Sequence, residues 1–126
     1  MPTYLHDIVL LYLSVLDARD GSDPHERNLV GHLAHRWAPE ADSAEVEAVV
    51  ETAYLAARSG LDIDPEALAQ DLCDQLPTGG CKRLLSDLGA LARADGHLTQ
   101  HEAETISLVR NEFARRRYAA GAHASI

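Results

Sequence analysis

Three observations predict an all-α fold. Alanine and leucine, at 20 and 18 of 126 residues, dominate the composition while aromatic residues reach only 5%, and both are strong helix formers. Apolar positions recur at three- and four-residue intervals, and no segment alternates with period two over the length of a strand. Proline, glycine and N-capping residues punctuate the chain at helix spacing. The length suits one core. The expectation is therefore a single compact domain of about six helices over residues 1–118, followed by a frayed tail over 119–126.

The first helix spans roughly Thr3 to Arg19. Leu5, Ile8, Val9, Leu11, Leu13, Val15 and Leu16 cover much of its circumference, which marks a helix central to its domain. Gly21 is placed to end it as a left-handed C′ residue. Asp23 as N-cap, Pro24 at N1 and Glu26 three after the cap open a second helix that runs to about Trp37. Asp42 with Glu45 repeats the cap logic, and Val46, Val49, Val50, Ala53 and Ala57 form a buried stripe up to Gly60. Asp64 and Pro65 open a shorter helix with Leu68, Leu72 and Leu76, closed by Pro77. From Thr78 a fifth begins, its inner face Leu84, Leu85, Leu88 and Leu91 and its stop Gly96. Thr99 and Glu102 make a capping box for the last, with Ile106, Val109 and Phe113 inward.

An internal echo organises these elements. Leu13, Leu16, Asp20 and Gly21 recur 75 positions on as Leu88, Leu91, Asp95 and Gly96, and His25-Glu26 recurs as His101-Glu102 after 76. Each copy is a helix, an Asp-Gly stop, a capped restart and a second helix. Two such helical hairpins can pack about a pseudo-twofold axis.

The net charge is −9, and its distribution is lopsided. Residues 40–74 hold ten acids and one base, Arg58, so that segment carries the whole excess and the rest is neutral. A field of this sign repels phosphate backbones, so no nucleic acid is expected as a partner. Arg115, Arg116 and Arg117 are the counter-signal, and three arginines near a helix end also suit its dipole. The apolar run Ile8–Leu13 is far shorter than the ~20 residues a bilayer span requires, and no basic region precedes it. The expectation is a cytoplasmic protein with no membrane insertion.

The Asp-Gly turns carry the most chemistry. Asp17, Asp20, Asp23 and Glu26 occur every third residue through the first turn, and four carboxylates so close repel unless something positive or hydrogen-donating sits among them. Ca²⁺ or Mg²⁺ would do so, since both take carboxylate and carbonyl oxygen, although the spacing is not that of an EF-hand. In the second turn Asp95, His97 and Glu102 offer an imidazole and carboxylates that suit Zn²⁺. The bland reading stands beside this one: Asp20 and Asp95 accept helix N–H groups, and Glu26 and Glu102 are the N3 partners of capping boxes.

The stretch Arg93-Ala94-Asp95-Gly96-His97-Leu98-Thr99-Gln100-His101-Glu102, followed by Ile106, resembles the ADG-x-(I/L)-(S/T)-x-x-E signature of TerB-like proteins. That family includes bacterial tellurite-resistance proteins and the N-terminal domain of certain membrane-anchored DnaJ-type co-chaperones. The resemblance covers about Tyr4 to Phe113. The first copy, Asp17 to Glu26, departs from the signature by one missing loop residue. What the resemblance implies is an all-helical, non-enzymatic stress-response protein. It further implies divalent-metal binding through acidic residues, carried over here to Asp20, Glu26, Asp95 and Glu102. Asp17 and His97 join that set from local chemistry alone.

Other constellations are weaker. His25, His32 and His35 share a helix, but scattered helix histidines are most often surface residues, and His25-Glu26 lacks the H-E-x-x-H frame because position 29 is Leu. No serine occupies a nucleophile elbow. Gly79-Gly80 lacks the phosphate-loop frame and reads as a helix N-terminus. Cys73 and Cys81, eight apart, lack paired C-x-x-C zinc spacing and read as core or boundary thiols in a reducing compartment, with an enclosed disulfide as the lesser alternative. No enzyme activity is expected.

The leading expectation is a metal-binding stress domain taking Ca²⁺, Mg²⁺, Mn²⁺ or Zn²⁺ at one or both Asp-Gly turns. The alternative is an interaction module whose acidic face, through Glu45, Glu47 and Glu51, meets a protein with a basic surface; a homodimer is a separate expectation. In that reading Trp37 and Tyr54 serve as anchors.

Overall fold

A computed structural model describes residues 1–16, 23–60, 62–94, 96 and 98–124, with 117–124 described by backbone alone. It contains α1 (Leu5–Leu16), α2 (Pro24–His35), α3 (Ser43–Arg58), α4 (Pro65–Gln75), α5 (Gly80–Arg93) and α6 (Gln100–Ala124), and no strand among the described residues. The fold is all-α.

Eight of the twelve residues of α1 are buried, as expected of a helix apolar on most sides. It touches each of the other five helices. Around it α1–α2 and α5–α6 form two hairpins, while α3 packs on α1 and α2 and α4 packs on α1 and α6. The echo in the sequence becomes a symmetry here. Exchanging the hairpins turns α1·α6 into α5·α2, and both contacts exist. On the axis, α1 meets α5.

Three of the six helix starts are held by side-chain caps. Asp23 Oδ1 accepts the amides of His25 at 2.9 Å and Glu26 at 3.4 Å, with Pro24 opening α2. Asp64 Oδ1 does the same for Glu66 and Ala67 at α4. Thr99 and Glu102 form the reciprocal capping box: Glu102 N donates to Thr99 Oγ1 at 3.1 Å and Thr99 N donates to Glu102 Oε1 at 2.8 Å. Asp42 holds the N-cap position of α3 but its side chain makes no capping bond.

One boundary differs from expectation. The fifth helix starts at Gly80 rather than Thr78, because Gly79 takes the N-cap position in the left-handed region at φ +81°, where a side chain is disfavoured. The last helix runs to Ala124.

Gly80 has a different reason to be glycine. A Cβ there would stand 2.8 Å from Leu76 Cβ, so the last turn of α4 and the first of α5 approach too closely for any side chain. Gly80→Ala is expected to lower stability by about 1–3 kcal/mol through overpacking, despite alanine's better helix propensity. Denaturant midpoints of the two proteins check this.

Candidate functional site

The turns come first because they carry the expected ligands. Asp17, Asp20, Asp95 and His97, like Gly21, lie outside the described residues. Of the remaining two, Glu26 is half-buried in the first turn of α2 and Glu102 is only 6% exposed. Glu102 is held as a capping partner, one of its oxygens on the Thr99 amide. Its neighbour His101 reaches across the molecule, with Nε2 2.7 Å from the carbonyl oxygen of Ser14 in the last turn of α1. That carbonyl belongs to a helix end whose acceptors have no intrahelical donor. The contact brings the C-terminal end of α1 to the N-terminal end of α6, so the two Asp-Gly segments connect to elements that meet at one end of the bundle. Among the described residues no three His, Cys, Asp or Glu side chains come together in a way that could hold a metal ion.

The acidic face is built mainly by α3. Glu47 and Glu51 both accept from Arg27 Nη2, at 2.6 and 2.7 Å, and Arg58 adds a bond to Glu51 at 3.3 Å. Arg27 also lies over the Tyr54 ring, 4.6 Å from its centroid. Much of the charge near α2 is thus internally matched. Glu45 is exposed and borders a shallow cleft of about 370 Å³ with Met1, His6, Ala48, Val49 and Thr52. Leu55 continues the same face, 53% exposed. Glu45, Ala48, Thr52 and Leu55 follow one another at helical spacing, giving a solvent-facing strip in which apolar Ala48 and Leu55 alternate with polar Glu45 and Thr52.

Trp37 and Tyr54, expected to anchor a partner, are core residues at 6% and 1% exposure. Proximity to the acidic face in sequence did not mean exposure: the rings point inward while their polar neighbours take the water. Burial raises the Tyr54 hydroxyl to a pKa of about 12, against the lowering effect of Arg27. An unfolded phenol ionises near pH ~10, so between those values the folded chain keeps a proton the unfolded chain has lost. The contribution of Tyr54 to stability is full below about pH 10 and falls as pH rises through that window. Tyr54→Phe is expected to flatten the fall, as measured by urea titrations at about pH 9 and about pH 11.

The arginine run has acid partners. Arg116 pairs with Asp74 of α4 at 2.9 Å and with Glu112 at 3.5 Å, while Arg115 bonds Glu112 and lies 3.7 Å from Glu66. These cations tie α6 to the acidic α4, which accounts for two of the three without nucleic acid. His32 and His35 line a small polar cleft with Arg27, Asn28, Ser43 and Glu47.

One buried polar cluster was not anticipated. Tyr12 Oη donates to Asp87 Oδ2 at 2.7 Å, and Trp37 Nε1 stands 3.0 Å from both oxygens. All three side chains are buried. Arg83 closes the cluster, its guanidinium 4.2 Å from the Trp37 ring centre and hydrogen-bonded to the Arg36 carbonyl. Burial first, then the Asp87 charge, drives the Tyr12 hydroxyl far above its ordinary pKa. Tyr12 and Asp87 are 75 residues apart, the offset of the repeat, so equivalent positions of the two hairpins meet on the pseudo-twofold axis. The signal was available: an acid at 87 interrupts the apolar stripe of Leu84, Leu88 and Leu91.

A family model described as Tellurite resistance protein TerB matches residues 6–118. No curated protein and no solved structure matches the chain.

Proposed function

The chain belongs to the TerB family, and from that premise we propose that it is a non-catalytic, cytoplasmic stress domain of the tellurite-resistance type that works by docking a protein partner on the outer face of α3. The observation that carries this reading is the exposed strip from Glu45 to Leu55, where apolar and acidic groups share one helix face. Ala48 and Leu55 keep apolar surface in water on this face, and the exposed carboxylate of Glu45 selects a partner with a basic surface. Asp23 and Glu102 being held as helix caps also favours structural turns. No helix among the described residues is long and apolar enough to cross a membrane.

The test is to express the chain with Glu45→Lys and Leu55→Lys in cells that depend on it for growth on tellurite. Both residues are exposed, so melting temperature and helix content should stay within error of the parent. Tolerance should be lost. A variant that folds and still confers full tolerance sinks the reading.

A second reading, a divalent cation at the Asp-Gly turns, is favoured by the His101–Ser14 contact, which draws together the helix ends adjoining those turns. Glu26 and Glu102 alone do not make a site, and carboxylate-rich segments adjoining them are the chemistry such an ion takes. A ligand at ~100 times its Kd adds about 2.7 kcal/mol. The expected result is a saturable rise of several degrees in the melt of chelator-stripped protein with Ca²⁺, Mg²⁺, Mn²⁺ or Zn²⁺, abolished by Asp20→Asn or Asp95→Asn. No shift with any of the four ions removes this reading.

A further inference from the structure

Cys73 lies in the last turn of α4 and Cys81 in the first turn of α5. Their sulfurs are 3.8 Å apart, and both residues are reduced and partly buried. A disulfide bond is ~2.05 Å long, so the two sulfurs must close by roughly 1.8 Å in total, a displacement that two side chains can share. The approach is a product of the turn between them. Gly79 reverses the chain in the left-handed region, and Gly80 lets α5 start against Leu76 with no side chain between. Both sulfurs are therefore held at contact distance by packing that exists before any bond forms.

We propose that Cys73 and Cys81 form a reversible redox modification site, oxidised to an intrachain disulfide by hydrogen peroxide. Cys81 is the attacking thiol. It occupies the second position of α5, where N–H groups without intrahelical acceptors and the positive end of the helix dipole favour a thiolate. Its sulfur attacks one peroxide oxygen, forming an S–O bond and breaking O–O, and the departing hydroxide takes up a proton to become water. The Cys73 sulfur then attacks the Cys81 sulfur, forming S–S and breaking S–O. The hydroxyl leaves with the Cys73 proton as a second water. Two thiols lose two electrons and one peroxide gains them. A small thiol reductant returns the pair to the starting state by exchange.

The bond would tie the end of α4 to the start of α5, the helix that carries Arg83 and Asp87. Oxidation thus stiffens the turn from which the buried cluster is positioned. Because it closes a short loop already in its native geometry, the oxidised protein is expected to melt several degrees above the reduced one.

The experiment treats the reduced chain with a few equivalents of hydrogen peroxide and reads intact mass, iodoacetamide labelling and melting temperature. The expected product is a monomer lighter by two hydrogens, with no alkylated cysteine, a raised melting temperature and full reversal by dithiothreitol. Cys73→Ser should gain one oxygen, captured by dimedone, and Cys81→Ser should react at least tenfold more slowly. Disulfide-linked dimers, or wild-type chains carrying over-oxidised but unlinked sulfurs, overturn the proposal. Equal rates in the two variants overturn the assignment of Cys81 as the attacking group.

Discussion

Asp87→Ala is expected to lower unfolding free energy by about 2–4 kcal/mol, because it removes the acceptor of a buried hydroxyl. Tyr12 Oη donates only to Asp87 Oδ2, and its ring is fully buried between α1 and α5. Trp37 Nε1 is less exposed to the change, since it keeps Tyr12 Oη at 3.0 Å as an acceptor. Asp87→Asn retains an acceptor oxygen and should cost less, about 1–2 kcal/mol. Tyr12→Phe leaves the carboxyl group with the Trp37 donor alone. The Tyr12→Phe, Asp87→Ala double variant is expected to be destabilised by less than the sum of the single losses, since the second change removes a partner already orphaned. Urea titrations of the four proteins measure this coupling. An Asp87→Ala midpoint equal to wild type would mean that the cluster contributes nothing to stability and would leave its burial without an explanation.

Tyr54→Ala is expected to cost about 3–5 kcal/mol, the loss of a large ring from a packed interior. The ring is 1% exposed, and the Arg27 guanidinium lies over it. Arg27 Nη1 is buried without a hydrogen-bond partner, and removing the ring takes away the face on which the guanidinium lies. The comparison is Glu47→Gln, which breaks one bond of Arg27 at a glutamate whose side chain is 61% exposed. That change should cost less than about 1 kcal/mol, because solvent screens the pair. Thermal melts of the two variants side by side are expected to differ by more than ten degrees. A Tyr54→Ala protein that melts with the parent would return the ring to the surface role that its neighbourhood in the sequence implied.

Helix positions, caps and the central place of α1 were legible because each depends on residues within a turn of one another. Asp23 caps α2 through amides two and three residues away, and Thr99 and Glu102 satisfy each other within four positions. Where a nearby rule failed, the competing cause was also nearby: α5 begins at Gly80 rather than Thr78 because its N-cap at position 79 is a left-handed turn that needs glycine. Sequence proximity was a poor guide to exposure. Trp37 stands three residues before the acidic segment, yet its ring lies inside against Tyr4 and the Tyr12–Asp87 pair.

The sequence by itself determined the all-α class, the six helices, the repeat of two hairpins and the family, because periodicity, capping and a short signature are local or directly comparable along the chain. Only the tertiary structure decided that Tyr12 meets Asp87, that Arg115 and Arg116 lie against acids of α4, that the sulfurs of Cys73 and Cys81 stand in contact, and that α3 keeps Leu55 in water. Helix periodicity says which face of a helix is apolar, but not which other helix that face will meet. A polar group on such a face can pair with a residue 75 positions away only after the core has closed, when losing water makes an unpaired hydroxyl costly enough to select its partner.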